Sequence, residues 1–462
     1  MAWAEWAVGT GVADFAAEAY QHLVALTARD AAVRSGAGAR DRVLAAAQEY
    51  AEEAGYWLAR TGRHREAALA LETGRAVGLT EALAAVSEGD PPDNGARYED
   101  ITAETGDGAI VYLAAAKAGG YALIVAARHD PQYINLPRLD RATVAALVGD
   151  VLPAQQPSTG IARMREIVPG RSRPTDPMAV ALRKLFEDGL KNLVPGAGGR
   201  IVTLVPVGLL SLLPIHVVVP FPAVRYVPNA RALGRCRAVT RELAGRDDTL
   251  LAVDVPGGHG AGPGGYLHHV ARETAEVTRL WTGSPARPLH ACTWAEFRAA
   301  ADRHSVWHLA CHGAAEPGSI LDTRLYFADR HITLQELRRA LRPGRRRLAV
   351  LSACQTNIIG SALPNEMVGL PSALIQIGFA GVIASAWAVD DLATTYLMAA
   401  FYRHWRREGT EPAVALGRAQ RWLRGATWAD LEALLPGVGP RDDAEYPYAD
   451  PRYWAAFAYT GA

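Results

Sequence analysis

The sequence predicts an α/β protein: a mainly parallel sheet with helices on both faces, preceded by an α-helical, repeat-like segment. Three observations predict it. From about residue 249 onward, short apolar runs alternate with amphipathic stretches, the order that a parallel sheet requires. Residues 1–88 are alanine-rich with apolar positions at helical spacing. Between these parts lies `SEGDPPDNGARYEDITAETGDG`, polar and rich in Gly, Pro and Asp, a linker by composition.

At 462 residues the chain exceeds one compact core and predicts two or three domains. We divide it into a helical segment (1–88), a linker (89–108), a first α/β part (109–240) and a second (241–462). Lysine plus arginine (48) balances aspartate plus glutamate (48), and beyond the arginines of `RPGRRR` no basic block stands out, so nucleic acid is not an expected partner. No apolar run reaches the roughly 18 residues of a spanning helix, and the N-terminus lacks a charged region followed by an apolar one. The expectation is a soluble, cytoplasmic protein with no membrane partner. Four cysteines (Cys236, Cys292, Cys311, Cys354) are too sparse for a disulfide framework and are expected as thiols.

In the helical segment, `AGYWLARTGRHREAALALETGRA` sets small residues (Ala54, Gly62, Ala67) among large ones (Trp57, Leu58, Leu69, Leu71), the pattern of two antiparallel helices around a tight turn. It resembles a tetratricopeptide unit. One or two such units cannot bury a continuous face, so these helices dock on the rest of the chain or the chain is the C-terminal part of something longer. After the linker, `AIVYLAAA` and `YALIVAA`, separated by `KAGG`, read as a hairpin. Helices follow at 141–152 and 178–193 with the loop `PGRSRPTDP` between them, then the strand `RIVTLVPVG` and a segment ending in `VRYVPNARAL`. A second sheet is expected to start at `TLLAVDVPG`.

In that last part `SVWHLACHG` reads as a strand, and `TLQELRRAL` as a helix opened by Thr333 with Glu336 at capping-box spacing. `RLAVLSAC` is the next strand, `EMVGLPSALIQIG` an apolar helix, `GVIASAW` a strand, and `DDLATTYLMAAFYRHWRRE` a long helix capped by Asp390 or Asp391. Ligands of such sheets bind beyond the carboxyl ends of the strands, and His312 and Cys354 both fall there. Consecutive strands commonly lie side by side, which brings the two together. A thiol near an imidazole suits covalent acyl transfer: the thiolate attacks the carbonyl carbon and the imidazole protonates the leaving amine. Gly313 permits close backbone approach and, with Cys354, offers N–H groups to the oxyanion.

`SACQT` with a histidine upstream is close to the caspase pattern. Together with `HLACHG`, `LSACQT`, `EMVGL`, `ASAWAVDD`, `LMAAFY` and the closing `YWAAF`, in this order, the chain resembles the CHAT family of caspase-like proteins, relatives of separases, over roughly residues 97–462. `VPVGLLSLLPIHVV`, `YVPNARAL` and `ETAEVTRLW` also look like family segments, and the N-terminal helices resemble the tetratricopeptide repeats that often precede the domain. The resemblance implies a caspase-like fold with a degenerate first half supporting an active second half, and a cysteine endopeptidase with Cys354 and His312 as its dyad, acting on a protein or peptide without any cofactor or metal. It also implies a bacterial stress, defence or cell-death pathway. The N-terminal helices are expected to receive an activating protein partner, because repeat helices bind proteins and do no chemistry. Gln355 departs from the glutamate common in the family, which bears on substrate preference.

Other readings stand beside these. Cys311 is expected in the core, and His308, on the face of His312 by alternation but about 13 Å back along an extended strand, as a hydrogen-bonded supporting residue. A zinc site on His308, Cys311 and His312 is disfavoured because alternation sends Cys311 to the opposite face. Asp390 and Asp391 are candidates for a pocket that takes a basic side chain, and also for a helix N-cap and first-turn charge, the more frequent reason for such a pair; Glu366 carries the same two readings. `GGHGAGPGG` reads as a loop near the site, with nucleotide binding a remote alternative because the Lys-Ser/Thr ending of a phosphate loop is missing. The arginines at 163–173 are candidate self-cleavage sites. Two further functional classes remain: an inactive caspase-like scaffold for protein interaction, and a redox or metal sensor using Cys311 and Cys354.

Overall fold

The computed structural model describes residues 2–33, 37–75, 97–106, 108–151, 177–188, 190, 201–219, 221–257, 266–283, 286–314, 322–342, 344–353, 370–437 and 444–462. The chain opens with helices α1 (Ala2–Gly9), α2 (Ala13–Val33), α3 (Ala37–Arg60) and α4 (His64–Thr73). The turn between α3 and α4 passes through Gly62 at φ +80°, a left-handed conformation that glycine adopts without a Cβ penalty. The expected antiparallel pair is therefore present, and it docks: Ala51, Ala54, Leu58 and Leu71 share one buried cluster with Tyr112 and Tyr121 of the first two strands.

The segment read as a linker carries a helix of its own, α5 (Tyr98–Ala103), which buries Tyr98 and Ile101. Its polar composition hid two apolar anchors spaced three residues apart, one helical turn. β1 (Ala109–Ala116) and β2 (Gly119–Ala126) form the expected hairpin, with β3 (Gln132–Leu136) antiparallel beside β2. Helices α6 (Arg141–Val151) and α7 (Pro177–Asp188) precede β4 (Val202–Pro206) and β5 (Val224–Tyr226), and α8 (Ala230–Glu242) closes the first half with Asn229 accepting the Ala232 N–H as N-cap.

The second half supplies β6 (Leu250–Asp254), α9 (Val270–Leu280), β7 (Leu289–His290), α10 (Trp294–Ala301), β8 (Val306–Cys311), a short sheet of β9 (Gly313–Ala314), β10 (Arg324–Tyr326) and β11 (His331–Thr333), then α11 (Leu334–Ala340), β12 (Arg346–Ala353), α12 (Leu370–Gln376), β13 (Phe379–Ser385), α13 (Asp391–Tyr402), α14 (Pro412–Gly425), α15 (Trp428–Leu434) and β14 (Phe457–Gly461). Thr333 and Glu336 form the predicted capping box. The long helix does not run straight to Glu408: its α-helical part stops at Tyr402 and residues Arg403–Arg407 take π geometry.

The expectation of a second sheet starting at residue 249 is corrected. Among the described residues one sheet of eleven strands runs β3-β2-β1-β4-β5-β14-β13-β12-β8-β6-β7. The last strand in sequence, β14, returns to the middle, pairing parallel with β5 and antiparallel with β13. Consequently β1, β4, β5 and β14 point one way while β13, β12, β8, β6 and β7 point the other. The carboxyl ends of β13, β12, β8, β6 and β7 thus share one edge, separate from those of β1, β4, β5 and β14. Alternation sorts the side chains: Val306, Leu348 and Val350 enter a core with α9 and α13, whereas Trp307, Leu309, Cys311 and Leu351 enter a core with α8, α10 and α12.

Candidate active site

β8 and β12 are adjacent parallel strands in the register Val350↔His308, Ser352↔Ala310 and Ala353↔Cys311. His312 follows Cys311 in the chain and Cys354 follows Ala353. The paired residues are thus the immediate predecessors of the two dyad candidates, and hydrogen-bonded strands run about 4.8 Å apart. Cys354 and Glu366 themselves lie outside the described residues, as do residues 258–265 of the glycine-rich loop and the arginines at 163–173.

His312 is buried at 2% exposure, and its carbonyl accepts the Tyr326 N–H at 3.0 Å. That bond makes 312 and 326 a hydrogen-bonded pair of the antiparallel ladder. Gly313, opposite Leu325, is therefore the alternate kind, with its N–H outside that ladder. A glycine here lets another chain approach this backbone closely.

His308 is fully buried. Its Nε2 lies 2.9 Å from Glu273 Oε1 and its Nδ1 3.4 Å from the Tyr402 hydroxyl, which fixes the ring between α9 and α13. The Glu273 contact is a close ion-pair approach without good hydrogen-bond angles. Burial and the charge of Glu273 push the Tyr402 phenol well above its usual range. Cys311 packs among Trp307, Leu309 and Leu351, on the other face from His308. Burial pushes the Cys236 and Cys292 thiols up to about 12, so both remain protonated, unreactive core thiols at neutral pH.

Asp390 is the N-cap of α13 and accepts the Ala393 N–H at 2.8 Å. Asp391 reaches across to the head of α9, where its Oδ2 accepts the His269 N–H at 2.8 Å. Burial pushes its carboxyl up to about 6; the His269 N–H opposes this and the charges of Glu273 and Asp390 add to it.

Sequence reading missed a second polar group on this edge. Asp254, the last residue of β6 and 1% exposed, accepts the Thr274 hydroxyl at 2.9 Å and meets His290 Nδ1 at 2.6 Å. A carboxylate at the end of the apolar run `LLAVD` was the available signal.

The CHAT domain family model matches residues 177–462. The chain belongs to the CHAT domain family. Among solved structures it is similar to separase of Saccharomyces cerevisiae in its complex with securin, with a TM-score of 0.58 at 7% identity over 92% of this chain. A second separase–securin structure gives 0.51 over the same share. The chain spans 37% of that separase chain. The Arg-specific cysteine proteinase gingipain R is matched at a TM-score of 0.37 and 12% identity, covering 61% of this chain and 67% of its own, a likeness too low to carry an argument. No curated protein sequence matches the chain. The CHAT chain therefore has a caspase-like protease fold, with a large mainly parallel sheet between helices.

Proposed function

We propose that this CHAT protein is a cysteine endopeptidase with Cys354 as nucleophile and His312 as general acid/base. The observation that carries the reading is the β8–β12 register, in which the paired residues Cys311 and Ala353 immediately precede the two. The Cys354 thiolate attacks the scissile carbonyl carbon, and the carbonyl π electrons move onto oxygen. The N–H groups of Gly313 and Cys354 receive that oxyanion. Collapse expels the amine, which takes a proton from the His312 imidazolium and leaves a thioester. Water, deprotonated by His312, hydrolyses the thioester and restores the thiol. None of these steps calls for a metal or an organic cofactor.

His308, held by Glu273 and Tyr402, serves as a supporting residue that keeps β8 in place beneath His312. Asp390, Asp391 and Glu366 are the proposed acids for a basic side chain before the cut. A carboxylate offers about four acceptor sites, so bonds to backbone N–H groups leave capacity for a guanidinium or ammonium.

A protein partner acting through the N-terminal helices belongs to this reading. Trp3, Trp6 and Phe15 are 48%, 60% and 47% exposed, an apolar patch of the sort that marks an interaction surface. The presence of securin on the separase neighbour is in keeping with a protein partner.

The test is cleavage profiling against a diverse peptide library, with Cys354→Ala beside the wild type and a thiol-directed acylating probe on both. Cys354-dependent cuts after Arg or Lys are expected, with His312→Ala slower by at least ~10³-fold. Absence of both cleavage and labelling, with and without partner, would instead identify an inactive scaffold.

A further inference from the structure

We propose that the seam between the two halves of the sheet holds a binding site for a small organic anion, a carboxylate or phosphate head on a flat apolar body. The site stands apart from the protease reading. A cavity of about 220 Å³ lies where α14 crosses β5 and β14. Its volume equals about seven waters at ~30 Å³ each, room for a one-ring organic acid. Phe221, Trp454 and Phe457 supply apolar wall, and among the described residues no acidic side chain lines it.

The charge at its lip is compensated only in part among the described residues. Arg418, Arg421 and Arg424 recur at three-residue intervals on α14. Arg418 has Glu408 at 3.7 Å. Arg421 donates only to the Pro222 carbonyl, at 2.6 Å, and no carboxylate lies within ion-pair distance of Arg421 or Arg424 among the described residues. Two unpaired guanidiniums over an apolar floor match an anionic head on a ring.

The inner wall is set. Gln420 Nε2 donates to the Trp454 and Phe457 carbonyls at 3.1 and 2.8 Å. The Tyr226 hydroxyl accepts the His216 backbone N–H at 2.8 Å and donates to His216 Nδ1 at 2.9 Å, which puts the ring proton on Nε2. Burial holds this imidazole down at about 4, so it is neutral at neutral pH. The buried Nε2–H faces the Ala455 carbonyl, which opposes the effect of burial on the imidazole and fixes the ring in the wall.

β5 and β14 meet at one residue pair, Tyr226↔Thr460. A ligand between α14 and the loop before β5 braces that narrow joint, so binding raises stability by linkage. Calorimetric titration and thermal unfolding of the full chain test this, with phenyl phosphate and phenylacetate as probes and benzyl alcohol as neutral control. At least one anion is expected to bind and raise Tm, with affinity falling about tenfold or more in Arg421→Ala and in Arg424→Ala. Both side chains are exposed and free of carboxylate partners, so neither change threatens the fold. Preference between the anions identifies the head. The proposal is overturned if neither anion binds, if benzyl alcohol binds as well, or if the double variant binds unchanged.

Discussion

Asp391 accepts backbone N–H groups at the head of α9 while Glu273 and Asp390 crowd it with like charge. Its carboxyl is pushed from an ordinary 3.8 up to about 6. The folded state therefore holds that proton more tightly than the unfolded chain, a stabilisation present below pH 3.8 and lost as pH rises through about 6. Asp391→Asn keeps an acceptor and removes the charge. We expect it to be more stable than wild type above pH 6, by on the order of 1 kcal/mol given its partial exposure, with the gap closed by pH 3.8. Urea midpoints across this range measure it, and a gap constant with pH would refute the assignment. Glu72 poses a different case. Fully buried, it accepts the Tyr112 hydroxyl at 2.5 Å and the Ala230 N–H at 2.9 Å, tying α4 to β1 and to the start of α8. Glu72→Ala strands two buried donors and is expected to cost about 2–4 kcal/mol, with Glu72→Gln costing less. Chemical denaturation at neutral pH separates the two variants.

The elements around the site are held by local geometry that alternation alone does not reveal. Gly378, between α12 and β13, has φ +102°, and a Cβ there would run into the Gly344 carbonyl. The same approach carries backbone bonds from Gly344 N–H to Ile377 and from Arg346 N–H to Gly378. Gly378→Ala combines strain with a clash and is expected to lose at least ~2 kcal/mol, read as a lower Tm. Thr333→Ala, which removes half of a capping box at a half-buried helix end, is expected to cost only about 1 kcal/mol. Arg346 shows that the arginines of `RPGRRR` do not form one solvated block. It turns inward, 3% exposed, between Trp307 and Phe379, with its guanidinium 2.6 Å from Asp302. A buried arginine and a solvated one read alike in a sequence, because the aromatic faces that receive it come from distant strands.

At the scale of the whole molecule the large sheet takes the strand β14 into its middle, and the half-molecule boundary at 240 meets a physical obstacle there. Helix α8 ends at Glu242, yet it packs on β12, β13 and β14, and its Ala232 and Cys236 belong to the core containing Trp307 and Val382. A fragment of residues 241–462 exposes that face. We expect it to bind a hydrophobic dye and to unfold without cooperativity, whereas a fragment starting at 221 retains β5 and α8 and unfolds more sharply. Equal stability of the two fragments would show that the second half folds without α8.

Hydrophobic period was enough to identify the strands within `SVWHLACHG` and `RLAVLSAC`, the helix opened at Thr333, and the α/β class, since period two and period 3.6 are local properties that survive in one dimension. The placement of His312 at a strand end was legible for the same reason. The pairing of β14 with β5 and β13 was not, because `FAYTG` lies more than 70 residues from β13 and nothing local encodes its neighbours. Nor was the company of His308, which required α9 and α13 to bring Glu273 and Tyr402 onto β8. Contacts of this kind depend on strand order and helix packing, and those are decided by which buried surfaces fit one another once the whole chain is folded.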